Sequence, residues 1–338
     1  METSWKYVIA TDMPVDENWG FARVLGEELG VRFRVESANS GIHDSRWRRM
    51  IVYLTMAKRL FAHRSQMLEL VTWQQFFGLF YAWLCILFKV KEYPRLTIMT
   101  FIYRRRRGLL GRVHRMWLRD ILRSRYVDRV LVSSPAEVSH YAGLLGVSPE
   151  IFSYVELGVD VEYNIPTCDE GYWFSTGRSN RDYDFLIDAL SGSGQRLIVA
   201  CDKLAQPKAV NIEVRHNAFG KDMLKLMANA RGVIIILDDE VISSGQLVAL
   251  QAMMLGKPVI VSWSYSILPY VEDGLTAFVI VKKKPELLKA ISMLNAYGSL
   301  RRQFSLAAKS RFELNYTTAA FAKRVSQVLK SDNPIAFA

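Results

Sequence analysis

Cysteine is scarce in this sequence. Its 338 residues hold three, Cys85, Cys168 and Cys201, too far apart for a disulfide framework or a paired metal knuckle. They read as buried thiols in a reducing compartment. The five histidines, His43, His63, His114, His140 and His216, are equally isolated and lack carboxylates at ligand spacing, which leaves no metal site to expect. No Pro-, Gly- or Ser-rich tract and no short repeat appears, so disorder and solenoid architectures are set aside. Long apolar runs are also missing. Leu79 to Phe88 is wholly apolar, but Gln74, Gln75 and Lys89 bracket it, short of the roughly 20 residues a membrane span needs. It reads as a buried or interfacial helix. The opening METSWKYVIATD carries an acidic residue at position 2 and no long apolar core, unlike a secretory leader, so a cytoplasmic chain is expected.

Half of the chain is apolar and 23% is charged, the balance of a folded globular protein. The length suits one long domain or two ordinary ones. The net charge of +11 has a local source: ten arginines lie between Tyr103 and Val130 against Asp120 and Asp128. Arg104, Arg105, Arg106 and Arg107 are consecutive, and Phe101, Tyr103, Leu109, Leu110, Met116, Trp117 and Leu118 interleave with the block. Such a block is either a solvated helix face or a contact for something anionic, and the aromatic and apolar neighbours favour an anionic membrane surface. Nucleic acid is disfavoured, because no helix-turn-helix, zinc or RNA-recognition signature accompanies the charge.

Short β-rich runs alternate with helical periodicity along the whole chain. In the first half strands are expected at 5–11, 32–35, 68–72, 96–102, 129–132 and 152–155. Helices are expected at 21–30, 46–63, 75–88, 112–124 and 135–143. A polar, aperiodic stretch at 158–171, with Asn164 and Pro166, marks a boundary. A second series follows, with strands at 172–175, 196–201, 212–215, 232–237, 258–261 and 277–281. The pattern predicts an α/β chain of two Rossmann-like domains, 1–157 and 172–312, joined by the 158–171 linker. A terminal helix in 313–338 is expected to pack back toward the first domain. Ligand is expected at the carboxyl ends of the strands.

Four segments of the second half carry a resemblance: YVELGVDVEYN at 154–164, FSTGRSNRDYDFLIDAL at 174–190, SSGQLVALQAMMLGKPVIVS at 243–262 and LPYVEDGLTAFVI at 268–280. In this order, over about 125 residues, they resemble the donor-side motifs of family 4 glycosyltransferases, of GT-B architecture. The resemblance implies transfer of a sugar from a nucleotide-diphosphate sugar, and with the arginine block the leading expectation is a lipid-linked or polysaccharide acceptor at the inner membrane face. It further implies retention of configuration and no obligatory divalent ion.

Residue chemistry is compatible with that role. Arg178 and Arg181 lie in a strand-to-helix turn, where guanidinium forks reach phosphate oxygens unless Asp182 or Asp184 takes one of them. Ser243, Ser244 and Gly245 precede a helix opened by Gln246, whose free N–H groups suit a phosphate or sugar hydroxyl, or merely accept a serine cap. Gly20 either lets backbone approach the donor or marks a plain turn. The sequence departs from the family where two glutamates with seven residues between them are expected, and Ser243 and Gln251 stand there instead. A neutral amide at Gln251 still hydrogen-bonds a ribose hydroxyl, more weakly than a carboxylate, while Ser243 is too short. A catalytically weak GT-B scaffold or sugar-binding subunit is therefore the competing expectation. An inverting enzyme would need a protein base, for which Asp12, Asp16, His43 and Asp44 are the N-terminal loop candidates.

Overall fold

The computed structural model describes residues 4–38, 45–161 and 165–331. His43, Asp44 and Asn164 lie outside the described residues. The described chain divides into two compact units, one running to Val155 and resuming at Phe321, the other from Glu156 to Ala320.

The first unit is a six-stranded parallel sheet. Its strands are β1 (Tyr7–Thr11), β2 (Arg34–Ser37), β3 (Glu69–Thr72), β4 (Arg95–Ile98), β5 (Arg129–Val132) and β6 (Phe152–Tyr154), in spatial order β2-β1-β3-β4-β5-β6. Helices α1 (Gly20–Leu29), α2 (Arg46–Ala62), α3 (Gln75–Phe88), α4 (Gly108–Leu122) and α5 (Pro135–Leu145) connect them. The apolar helix α3 buries Phe77, Leu79, Tyr81, Ala82, Leu84 and Cys85 and exposes Leu87 and Phe88. Its Gly78 is required by contact, since an added Cβ would come within 2.6 Å of Thr72 Oγ1 and 2.8 Å of Ile98. Among the described residues, no helix is long and apolar enough to cross a membrane.

Two boundaries differ from the sequence expectation by four residues, the others by two at most. Strand β4 stops at Ile98 rather than running to 102, because side chains replace the ladder beyond it. Gln75 Oε1 accepts the Ile102 N–H at 3.0 Å, and Gln75 Nε2 donates to the Ile102 carbonyl at 3.3 Å. Helix α4 begins at Gly108, not 112. Gly108 takes φ +84°, and Gly111 has no Cβ to strike the Arg106 carbonyl, which would lie 2.2 Å away. The two glycines therefore fold the arginine loop back over the first helical turn.

The second unit repeats the architecture with β7 (Trp173–Thr176), β8 (Leu197–Ala200), β9 (Ile212–Arg215), β10 (Gly232–Ile235), β11 (Val259–Ser262) and β12 (Ala277–Ile280). The order is β12-β11-β10-β7-β8-β9, all parallel. Alternate residues of one strand feed opposite faces. Phe174, Val233, Ile235 and Ile198 enter one core, and Trp173, Ile234, Leu197 and Ile260 the other. Helices α6 (Tyr183–Leu190), α7 (Gly220–Asn229), α8 (Gln246–Met254), α9 (Lys284–Ala296) and α10 (Gly298–Asn315) cover the faces.

Helix α11 (Thr318–Ser331) returns the chain to the first unit. There Phe321 packs against Phe21 and Trp73, at ring-centroid distances of 5.3 and 5.8 Å. Cys85 and Cys201 are buried, but Cys168 is exposed, contrary to the expectation of three buried thiols. It belongs to a stretch without regular structure, held by its backbone to the Ala228 carbonyl at 3.1 Å. Nearby, the Lys257 ammonium is buried and donates to the carbonyls of Cys168 and Ala230 at 2.7 and 2.8 Å. Burial pulls its proton affinity down, and the two carbonyls replace water. The lysine of the GKP motif is thus a clamp for the fold.

Candidate donor half-site

Chain order locates the site before any side chain does. Strands β8 and β9 extend the second sheet on one side of β7, and β10, β11 and β12 on the other. The order reverses between β7 and β10, so the loops leaving these strands diverge and open a crevice at their carboxyl ends. Loop 177–182 follows β7, and loop 236–245 follows β10.

Gly177 opens the first loop with φ +128°, and the Arg181 guanidinium lies over it, 2.7–2.8 Å from where a Cβ would sit. Arg181 then donates through Nε to the Thr176 carbonyl at 3.0 Å, and through Nη1 to the Ser179 carbonyl at 3.1 Å and Ser244 Oγ at 2.8 Å. No carboxylate pairs with it among the described residues. Burial lowers its proton affinity, with the charges of Tyr183 and Cys201 opposing. A half-buried cation held by neutral oxygens can meet an anion without first giving up a carboxylate.

Arg178 is arranged differently. Its Nε donates to Asp202 Oδ1 at 2.8 Å, and its guanidinium covers the Phe219 ring at 4.9 Å. Neither arginine pairs with Asp182 or Asp184. Asp182 instead caps α6, accepting from the Phe185 N–H at 2.9 Å, and meets Lys282 at 2.8 Å. Burial alone would raise this carboxyl, but the Lys282 and Phe185 hydrogen bonds and the Lys282 charge hold it below the usual range. The two loops are fastened by Asn180, at φ +53°. Its amide donates to the Asp239 carbonyl at 2.9 Å and accepts the Asp239 N–H at 2.7 Å.

Gly245, N-cap of α8, takes φ +88° and fits tightly over Ile235 and Leu237. No side chain caps this helix, and no acidic residue stands in its first turn. Its leading N–H groups and positive dipole end therefore remain free for an anion beside Arg181 and Ser244. The preceding serines diverge. Ser244 accepts from Arg181 and donates to the Ser179 carbonyl at 3.1 Å, whereas Ser243 is buried. The Gln246 side chain is also buried, donating to the Ser266 carbonyl at 2.9 Å, so only its backbone is available to a ligand. Gln251 is half-buried on the outer face of α8, one turn after the exposed Leu247, and its amide bonds to no described residue.

The remaining sequence candidates lie in the first unit. Gly20 is the first residue of α1, and an added Cβ there would meet nothing within 4 Å. Asp12 accepts from Gln74, the N-cap of α3, at 3.0 Å, tying the loop after β1 to the loop after β3, and Asp16 accepts the Asn18 N–H at 2.8 Å within its own loop. Arg104 to Arg107 are exposed ahead of α4. Sequence reading missed Asp202, Asn180 and the half-exposed pair Trp263 and Tyr265, stacked edge-on at 4.6 Å beyond β11. The alternation in the run SWSYS was the available signal for the aromatic pair. Asp202 offered none beyond its place after a strand. No three His, Cys, Asp or Glu side chains group as a metal ion requires, among the described residues.

No protein-family model matches the sequence, and no curated protein matches it. Solved structures do match the fold. Anabaena HepE in complex with UDP and glucose superposes with a TM-score of 0.66 at 15% identity, over 96% of this chain and 100% of that one. Sucrose-phosphate synthase from Thermosynechococcus elongatus gives 0.70 at 16%, over 96% and 99%. WaaG, a glycosyltransferase involved in lipopolysaccharide biosynthesis, gives 0.63 at 13%, over 95% and 99%. Two six-stranded parallel sheets in this order, matched along nearly the whole chain, make the fold that of the GT-B glycosyltransferases.

Proposed function

We propose that this protein is a glycosyltransferase that takes a sugar from a nucleotide-diphosphate sugar. The observation that carries the reading is Arg181, a half-buried guanidinium without a carboxylate, bonded to Ser244 beside the uncapped start of α8. A diphosphate supplies the missing charge and accepts from both the arginine fork and the helix N–H groups. The UDP and glucose bound to HepE, a neighbour in fold, support a nucleotide-sugar ligand. In this reading the donor diphosphate lies between Arg181 and α8, and Gln251 hydrogen-bonds the ribose. Charge building on the departing diphosphate is stabilised by donors already in place. Asp12 is engaged by Gln74 and Asp16 by its own loop, which favours retention, with the donor phosphate assisting deprotonation of the acceptor. The acceptor is a lipid-linked or polysaccharide hydroxyl at the cytoplasmic membrane face, supported by the exposed arginines and the apolar residues that interleave with them. No metal ion takes part.

A catalytically weak scaffold is the second reading, favoured by Ser243, which is short and buried where the family resemblance implies a glutamate. Incubation of the purified protein with a panel of nucleotide sugars separates the two. Release of nucleoside diphosphate, faster with acceptor lipid present, supports the enzyme. Binding without release at any donor supports the scaffold.

A further inference from the structure

The first unit holds a cavity lined by arginines at the start of α4. Tyr103, Arg105, Arg106, Arg107, Arg112 and Arg115 line a cavity of about 500 Å³ there, together with Gly108 and Gly111. None of the five arginines makes an ion pair or hydrogen bond within the described residues. The Tyr103 hydroxyl is buried and likewise has no hydrogen-bond partner among them, although its residue is only 4% exposed. A buried hydroxyl without a partner costs free energy, and cations gathered around one cavity with no paired carboxylate concentrate positive potential there. The backbone is fixed for the purpose by Gly108 and Gly111, and α4 begins without a capping side chain or an acidic residue in its first turn.

We infer that this cavity binds a terminal phosphate or diphosphate group, held by the guanidinium forks of Arg105, Arg106, Arg107, Arg112 and Arg115. A phosphate monoester carries between one and two negative charges near neutral pH and offers three strong acceptor oxygens, enough to engage several forks together. A phosphodiester carries one charge and two free oxygens, and satisfies fewer. Beside the arginines, Leu109, Val113 and Met116 form an exposed apolar stripe at helical spacing, and Leu110 is 85% exposed. Apolar flank and phosphate pocket together match a lipid whose headgroup ends in phosphate, although a free phosphate ester would use the same pocket. The inference stands on residues of the first unit alone and does not depend on what the second unit transfers.

Full-length protein would be titrated with inorganic pyrophosphate by calorimetry, as wild type, Arg112→Gln, Tyr103→Phe and Arg181→Gln. It would also be sedimented with vesicles of phosphatidic acid and of phosphatidylglycerol at matched surface charge. Arg112 is exposed, and melting temperatures confirm that each variant is folded. Arg112→Gln is expected to weaken pyrophosphate binding at this site at least tenfold, and Tyr103→Phe several-fold, whereas Arg181→Gln leaves it in place. Preference for phosphatidic acid, lost in Arg112→Gln, identifies a lipid headgroup as the source. Arg112-dependent pyrophosphate binding without that preference identifies a soluble phosphate ester. If Arg112→Gln changes neither pyrophosphate binding nor vesicle preference, or the wild type has neither, the pocket is an ordinary basic surface and the inference fails. Loss in Arg181→Gln alone also overturns it, while upholding the donor half-site.

Discussion

At the scale of single residues, two arginines three positions apart have different electrostatic histories. Arg178 already spends its charge on Asp202 and rests on Phe219, while Arg181 meets only carbonyls and a hydroxyl. Removing Arg181 therefore takes away a donor that the nucleotide alone would neutralise. Arg181→Ala is expected to weaken nucleoside diphosphate binding by about 1.5–3 kcal/mol, the range for a charge-assisted hydrogen bond. Arg178→Ala should cost less, because Asp202 discounts its charge. Calorimetric titration of both variants checks the order, and equal affinity to wild type in both would remove the pair from the site. Gln251 carries the next expectation, since its amide is on the open face of α8 and bonds to no described residue. Gln251→Leu should lose about 1–3 kcal/mol of donor affinity by leaving a ribose hydroxyl unpaired. Gln251→Glu should hold or gain, and leucine behaving as wild type would displace α8 from the ribose. Residue type and spacing pointed to Arg181, Ser244 and Gln251 as candidates. They could not separate the buried Ser243 from Ser244, or the backbone of Gln246 from its side chain, whose amide is taken by the Ser266 carbonyl, distant in sequence.

At the scale of elements, the periodic segments were legible and the loops were not. Strands 129–132 and 212–215 and helix 75–88 stand where hydrophobic patterning puts them, since a strand buried on both faces or a helix packed on a sheet writes its period into its own residues. The end of β4 and the start of α4 depend instead on Gln75 and on glycines that serve a close approach. Such partners are invisible to local spacing. The same dependence makes loop 177–182 the sensitive element of the donor half-site. Gly177→Ala meets two obstacles, a φ of +128° and the Arg181 guanidinium at 2.7–2.8 Å. Strain of about 1–3 kcal/mol is expected in stability, and Arg181 must also move. The variant should therefore lower the melting temperature and lose nucleoside diphosphate affinity together. A melting shift with unchanged affinity would show that Arg181 is not held in place by the bare Cα of Gly177.

At the scale of the whole molecule, two parallel sheets of six strands each reverse their order once, between β1 and β3 and between β7 and β10. The second reversal carries Arg181, which no described carboxylate meets, and the uncapped start of α8, so an anion bound there would be linked to the stability of the folded chain. A nucleoside diphosphate that binds only the folded state should add about 2.7 kcal/mol at 100 times its dissociation constant, raising the melting temperature with concentration. The metal question is decided by the same titration. In the proposed site arginine and helix N–H groups would neutralise a diphosphate directly, and no three acidic, His or Cys side chains converge among the described residues. Stabilisation by UDP, GDP or another diphosphate is accordingly expected to be unchanged by EDTA and not enhanced by magnesium or manganese. The corresponding nucleoside, lacking phosphates, should stabilise far less, and Arg181→Ala should narrow that gap. Should stabilisation vanish with EDTA and return with a divalent ion, the diphosphate is being held by a bridging metal, and the charge assigned to Arg181 and α8 is not enough to hold it.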